Sequence, residues 1–136
     1  MDSGSRAKHL EMIQAVINRL ANTSFVIKGW GLTIVAGLVA VAAAKDSNSQ
    51  ILLAALAPVA AFGFLDAYYL WLERIFRAHY ARVRIRAEQY DFDMNVHDLK
   101  ENPVETYWEV LKRPSIGLYW LALLAAAAIG YLILKR

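Results

Sequence analysis

The chain contains no cysteine, so disulfides, thiolate zinc sites and cysteine nucleophiles are excluded. Proline is scarce, with three residues, and only Pro58 falls inside an apolar stretch. Charge is thin: Asp, Glu, Lys and Arg make up 20% of the residues, and the net charge is +3. That balance alone points to no partner. The opening segment, Met1 to Lys8, has no apolar core, so no cleavable signal peptide is expected. It also lacks the N-terminal glycine that myristoylation requires. The histidines His9, His79 and His97 are far apart, and no HExxH pair, Ser-His-acid spacing or glycine-rich phosphate loop is present. Neither an enzyme nor a cofactor is expected.

Apolar residues are what the chain has in excess, at 58% with a mean hydropathy of +0.32. A soluble domain averages about 45–50% apolar. Three stretches carry the excess: Phe25–Ala44, Ile51–Leu72 and Ser115–Leu134. Each has roughly the 20 residues a helix needs to cross a bilayer. The expected fold is therefore an all-α integral membrane protein with three transmembrane helices, in contact with membrane lipids.

Lys and Arg set the topology. Arg6, Lys8 and Arg19 precede the first stretch, and Lys45 is alone in the loop 45–50. Arg74, Arg77, Arg82, Arg84, Arg86, Lys100, Lys112 and Arg113 lie between the second and third. The N-terminus and the 73–114 segment are therefore expected in the cytoplasm, and the C-terminus outside. The terminal Lys135-Arg136 can snorkel at the outer interface. A third segment that re-enters and returns is the alternative.

The chain divides into an amphipathic helix (1–24), a transmembrane hairpin (25–72), a cytoplasmic helical region (73–114) and a third span (115–136). In the first, Leu10, Ile13, Val16, Ile17 and Leu20 recur at helical spacing. It can lie in the interface beside its own bundle, or act as a gate or lid. Gly29, Gly31, Thr33, Gly37 and the ladder Ala36, Ala40, Ala44 suit close helix packing in lipid, as do Ala122, Ala126 and Gly130. The partner can be the same chain or another copy. Pro58 predicts a kink. Beyond it, the row Phe62, Leu65, Tyr69, Leu72, Phe76, Tyr80, Val83, Ala87, Tyr90 predicts one helix from about residue 51 to 90. That helix would project about 25 Å into the cytoplasm. Another protomer, or a local helix over 103–113, would cover its apolar seam.

Asp91, Asp93 and Asn95 alternate like calcium ligands, but Val96 replaces the turn glycine and Asn102 the bidentate glutamate. No metal is expected. Asn102-Pro103-Val104-Glu105 reads as a helix start, placing Val104, Tyr107, Trp108 and Leu111 on one face.

Two constellations can carry function. Lys28 and Asp66 are ionisable residues inside spans and lie equally far from residue 47, hence at similar depth in a hairpin. They can form a fold-specifying ion pair. Alternatively, Asp66, Leu70, Glu73 and Arg77 form a stripe that would line the inner mouth of a pore. The second constellation is Arg74, Arg77, Arg82, Arg84 and Arg86, interleaved with Phe76, His79, Tyr80 and Tyr90. Guanidinium forks match phosphates, and aromatic rings such as Tyr90 and Trp108 can stack on bases. Arg74 and Arg77 also suit a collar that meets lipid headgroups.

The segments His9-Leu10-Glu11-Met12-Ile13-Gln14, Ile17-Asn18-Arg19 and Leu65-Asp66-Ala67-Tyr68-Tyr69-Leu70, with Glu73, Arg74 and Arg77, carry a likeness. The chain resembles the small bacterial membrane effectors of Hailong-type anti-phage defence, best over residues 9–90. In such a pair a neighbouring nucleotidyltransferase makes a short DNA oligomer. The resemblance implies an inner-membrane homo-oligomeric ion channel, a tetramer being favoured, held shut by that oligomer and released during infection. It implies that the Arg74–Arg86 helix holds phosphates. The alternative is a non-conducting structural or regulatory subunit that binds lipid headgroups or a partner protein. A channel needs polar residues on a shared axis; the alternative needs Asp66 buried within one protomer.

Overall fold

The computed structural model describes residues 3–44, 49–85 and 92–134, and these form helices and their connections, with no strand among them. Helix α1 runs from Ser3–Ala43, 41 residues, or about 60 Å. The expected break near residue 24 is absent. No glycine or proline occurs from Ser5 to Lys28 to stop the helix. Thr23, which could compete with the backbone, donates its hydroxyl to the Arg19 carbonyl one turn back, at 2.9 Å.

A 3₁₀ segment, Ser49–Ala55, leads into α2, Leu56–Ile85. Pro58 is the third residue of α2, just past the point where the 3₁₀ segment passes into the α-helix, so its missing N–H falls in the turn at that junction. Described α2 ends at Ile85; Arg86, Ala87 and Tyr90 lie outside the described residues.

The polar connection contains a short helix, α3, His97–Glu101. Asp93 Oδ1 accepts from the Asn95 amide at 2.8 Å, and Asn95 Oδ1 from the His97 amide at 2.9 Å. The alternation that resembles a calcium loop thus serves local turns. No group of three or more metal-ligating side chains gathers among the described residues. Helix α4 is Tyr107–Leu111, starting after the expected Asn102-Pro103 cap. Thr106 caps it instead, in a capping box with Glu109 whose Oε2 lies 2.7 Å from the Thr106 amide. Glu105, expected in the first turn, is drawn toward two arginines described below. The buried face of α4 centres on Val110, while Val104 and Trp108 are exposed. Helix α5, Pro114–Leu134, is the third apolar helix.

α1 and α2 form an antiparallel hairpin, with His9 near His79 and Lys28 near Asp66. α5 packs across α1 and α2 in one apolar core that includes Ile27, Val35, Val59, Ala67, Trp120 and Leu123. Farther along the hairpin, a second core joins Ile13 and Ile17 to Val83, with Leu10, Phe76, Tyr80 and Met94 packed on it. The Phe76–Val83 part of the seam is therefore covered by the chain's own N-terminal half. Neither expected cover, another protomer or the 103–113 helix, takes that part; Leu10, Ile13 and Ile17 do. Glu73 and His79 are also buried, at 8% and 5% exposure. The face α2 turns inward therefore carries polar groups that an apolar pattern passes over.

α1, α2 and α5 are each long and apolar enough to cross a membrane. Within their most apolar windows only 22%, 28% and 22% of residues are buried, so most of this surface faces outward.

Candidate functional site

Asp66 is fully buried where the three long helices meet. Lys28 Nζ donates to its Oδ1 at 2.6 Å, and Ser24, one turn before Lys28, also donates its hydroxyl to Oδ1. From α5, Trp120 Nε1 donates to Oδ2 at 2.9 Å. Lys28 Nζ also donates to Ser24 Oγ at 3.0 Å, and Tyr119 Oη donates to the Lys28 carbonyl at 2.5 Å. A carboxylate away from water requires such partners, since an unpaired charge there costs several kcal/mol.

The indole reaches Asp66 through a slot. A Cβ on Gly31 would come within 2.8 Å of the Trp120 ring, and one on Gly63 within 3.5 Å. The predicted Lys28–Asp66 layer thus lies inside one chain. The stripe assigned to a pore mouth also turns inward: Asp66 and Glu73 are buried, and Glu73 Oε1 accepts from Arg77 Nε at 2.6 Å. Of that stripe only Arg77 is substantially exposed.

The arginines divide. Arg74 Nη1 stands 3.1 Å from Glu105 Oε2, and Arg113, just before α5, donates to Glu105 Oε1. A cleft of about 290 Å³ beside them is lined by Arg74, Arg77 and Glu105 with Ile75, Leu99 and Val104. Arg82 pairs with Asp98 of α3, and its hydrogen bond holds that carboxyl below the usual 3.8. The Thr106 amide likewise lowers Glu109, while burial raises Tyr107. Arg84 is exposed, and its carbonyl accepts from Arg6. Trp108, 62% exposed, lies on α4 away from that cleft lining, and Arg86 and Tyr90 lie outside the described residues.

A further contact ties together the end of the hairpin that carries His9 and His79. The Asp93 carbonyl lies 3.0 Å from His9 Nε2 and 2.9 Å from His79 Nε2. A carbonyl only accepts, so both Nε2 atoms carry hydrogen.

Sequence reasoning missed Ser24, Trp120, Gly63, Glu105 and Arg113 as site residues. Ser24 was within reach, being four residues before Lys28 on the same helical face. Trp120 acts across a contact far apart in sequence, and Arg113 reaches Glu105 across the turn before α5; periodicity reports neither. Comparisons with protein-family models, curated proteins and solved structures returned no match.

Proposed function

We propose that this protein is a non-enzymatic, homo-oligomeric channel effector of the bacterial inner membrane, N-terminus in the cytoplasm, acting in anti-phage defence. A short single-stranded DNA oligomer, product of a partner nucleotidyltransferase, binds its cytoplasmic arginines and controls conduction. The observation that carries self-assembly is an outward stripe on α1. Gly29, Thr33, Gly37, Ala40 and Ala44 are exposed, and a Cβ built on Gly29 or Gly37 meets nothing within 4 Å. Small residues four apart gain little from lipid and let backbones of neighbouring copies approach. The Arg74–Arg77 cleft supports the ligand assignment, and the family resemblance supports conduction and defence. Because Asp66 is enclosed, the pore in this reading lies between copies.

A second reading is favoured by that same enclosure: a non-conducting regulatory subunit that meets lipid headgroups or a partner protein. Ion flux from liposomes separates the two. The channel reading expects flux that changes when a short oligonucleotide is added, and that is lost in Gly37→Leu together with the oligomer. A stable oligomer that conducts nothing, with and without oligonucleotide, rejects it in favour of the second.

A further inference from the structure

Two arginines from different elements close on one carboxylate. Arg113 donates to Glu105 Oε1, whereas Arg74 lies 3.1 Å from Oε2 without hydrogen-bond alignment. Oε2 is buried with no hydrogen-bond donor. In this arrangement the carboxylate hydrogen-bonds one guanidinium and holds the other in ion-pair contact alone. Arg77 lines the same cleft, and the side chains of Ile75, Leu99 and Val104 give it apolar walls. A phosphate group offers acceptor oxygens in tetrahedral directions and can take hydrogen bonds from two forks at once.

We propose that this cleft is a phosphate-binding site and that Glu105 is a built-in stand-in, displaced when a phosphate group enters. The inference deepens the ligand half of the proposed function and rests on it for the identity of the phosphate carrier. The chemistry is shared by nucleotide and lipid phosphates, and either can supply the group for a cleft lined by Arg74, Arg77 and Glu105. Displacement would leave the Glu105 backbone in place, because its carbonyl accepts from Trp71 Nε1 at 3.1 Å. It would free Arg113, next to Pro114, where α5 begins. Occupancy of the cleft is thereby felt at the base of the helix that carries Trp120 to Asp66.

The test uses the full chain in detergent with a short 5′-phosphorylated thymidine oligonucleotide at low salt, read by fluorescence anisotropy. Glu105→Gln removes the competing charge and should tighten binding about tenfold. Arg74→Lys and Arg113→Lys, made on Glu105→Gln, keep the charge but lose the fork, and each should reverse most of that gain. A parallel arm measures retention of phosphatidylglycerol over phosphatidylcholine by the same variants in mixed micelles. The Glu105→Gln gain in the first arm assigns the site to nucleotide phosphate; the same gain confined to the second assigns it to lipid. No gain in either arm, or a gain indifferent to both lysine variants, overturns the site. These readouts do not involve conduction, so a silent channel with intact binding rejects the channel reading and leaves the site standing.

Discussion

Trp120 donates its indole N–H to Asp66 across 2.9 Å, and this contact joins the third helix to the other two. The carboxylate also accepts from Lys28 and Ser24, so its charge is compensated within one chain. A compensated carboxylate walled in by an indole is a structural centre. Breaking one partner strands another in low dielectric.

Asp66→Asn alone should leave Lys28 unpaired, and Lys28→Met alone should leave Asp66 charged and short of a partner. Each should cost about 3–5 kcal/mol when measured as a single change. The double variant should be milder than the sum. A double-mutant cycle by thermal unfolding in detergent checks this; strictly additive losses would reject the pair.

The Trp120 slot predicts a contrast between glycines of the same helix. Gly31→Ala puts a methyl group 2.8 Å from the ring and should cost about 1–3 kcal/mol. Gly37→Ala meets nothing within 4 Å and should leave the chain's own fold unharmed. Equal effects on unfolding temperature would mean that the indole does not occupy the slot.

Ile13 is fully buried against the α2 end of the hairpin. Ile13→Ala should cost about 2–5 kcal/mol. Tyr80→Asp, placed in the same cluster, should destabilise the hairpin itself and not merely assembly. Limited proteolysis of the N-terminal half of α1 reads this directly. Unchanged protection would place residues 3–24 off the hairpin.

Asp98 is held below its ordinary 3.8 by the Arg82 hydrogen bond. The folded value is depressed, so the stabilisation is present above the unfolded value and disappears as pH falls through the folded one. An NMR titration of Asp98 should show its midpoint rise in Arg82→Ala. An unmoved midpoint would show that the pair does not form in solution.

The three apolar helices were legible because a span's length and composition are written in consecutive residues. The depth match of Lys28 and Asp66 was legible too, since a short turn constrains a hairpin. What the sequence hid was direction. Leu10, Ile13 and Ile17 announce an apolar face, but not that it folds back on Phe76 and Val83. The seam of α2 was drawn through its large apolar residues, yet the buried face runs through Gly63, Asp66, Glu73 and His79. Pro103 misleads for a local reason: it sits in a loop, because Glu105 answers to Arg74 and Arg113.

For three helices of membrane-spanning length, the Lys28–Asp66 contact also bears on insertion into a bilayer. A lone Asp or Lys opposes insertion by up to about 2.5–3.5 kcal/mol, the figure for a span's centre, and by less toward its ends. Because the two residues sit at one depth on antiparallel helices, α1 and α2 are best delivered together as a preformed hairpin with its charges already cancelled. α5 carries no charged residue between Pro114 and Leu134 and can follow alone. In a chain that inserts into a bilayer, the ion pair would favour hairpin first and α5 second, with Trp120 closing the assembly as the last helix arrives.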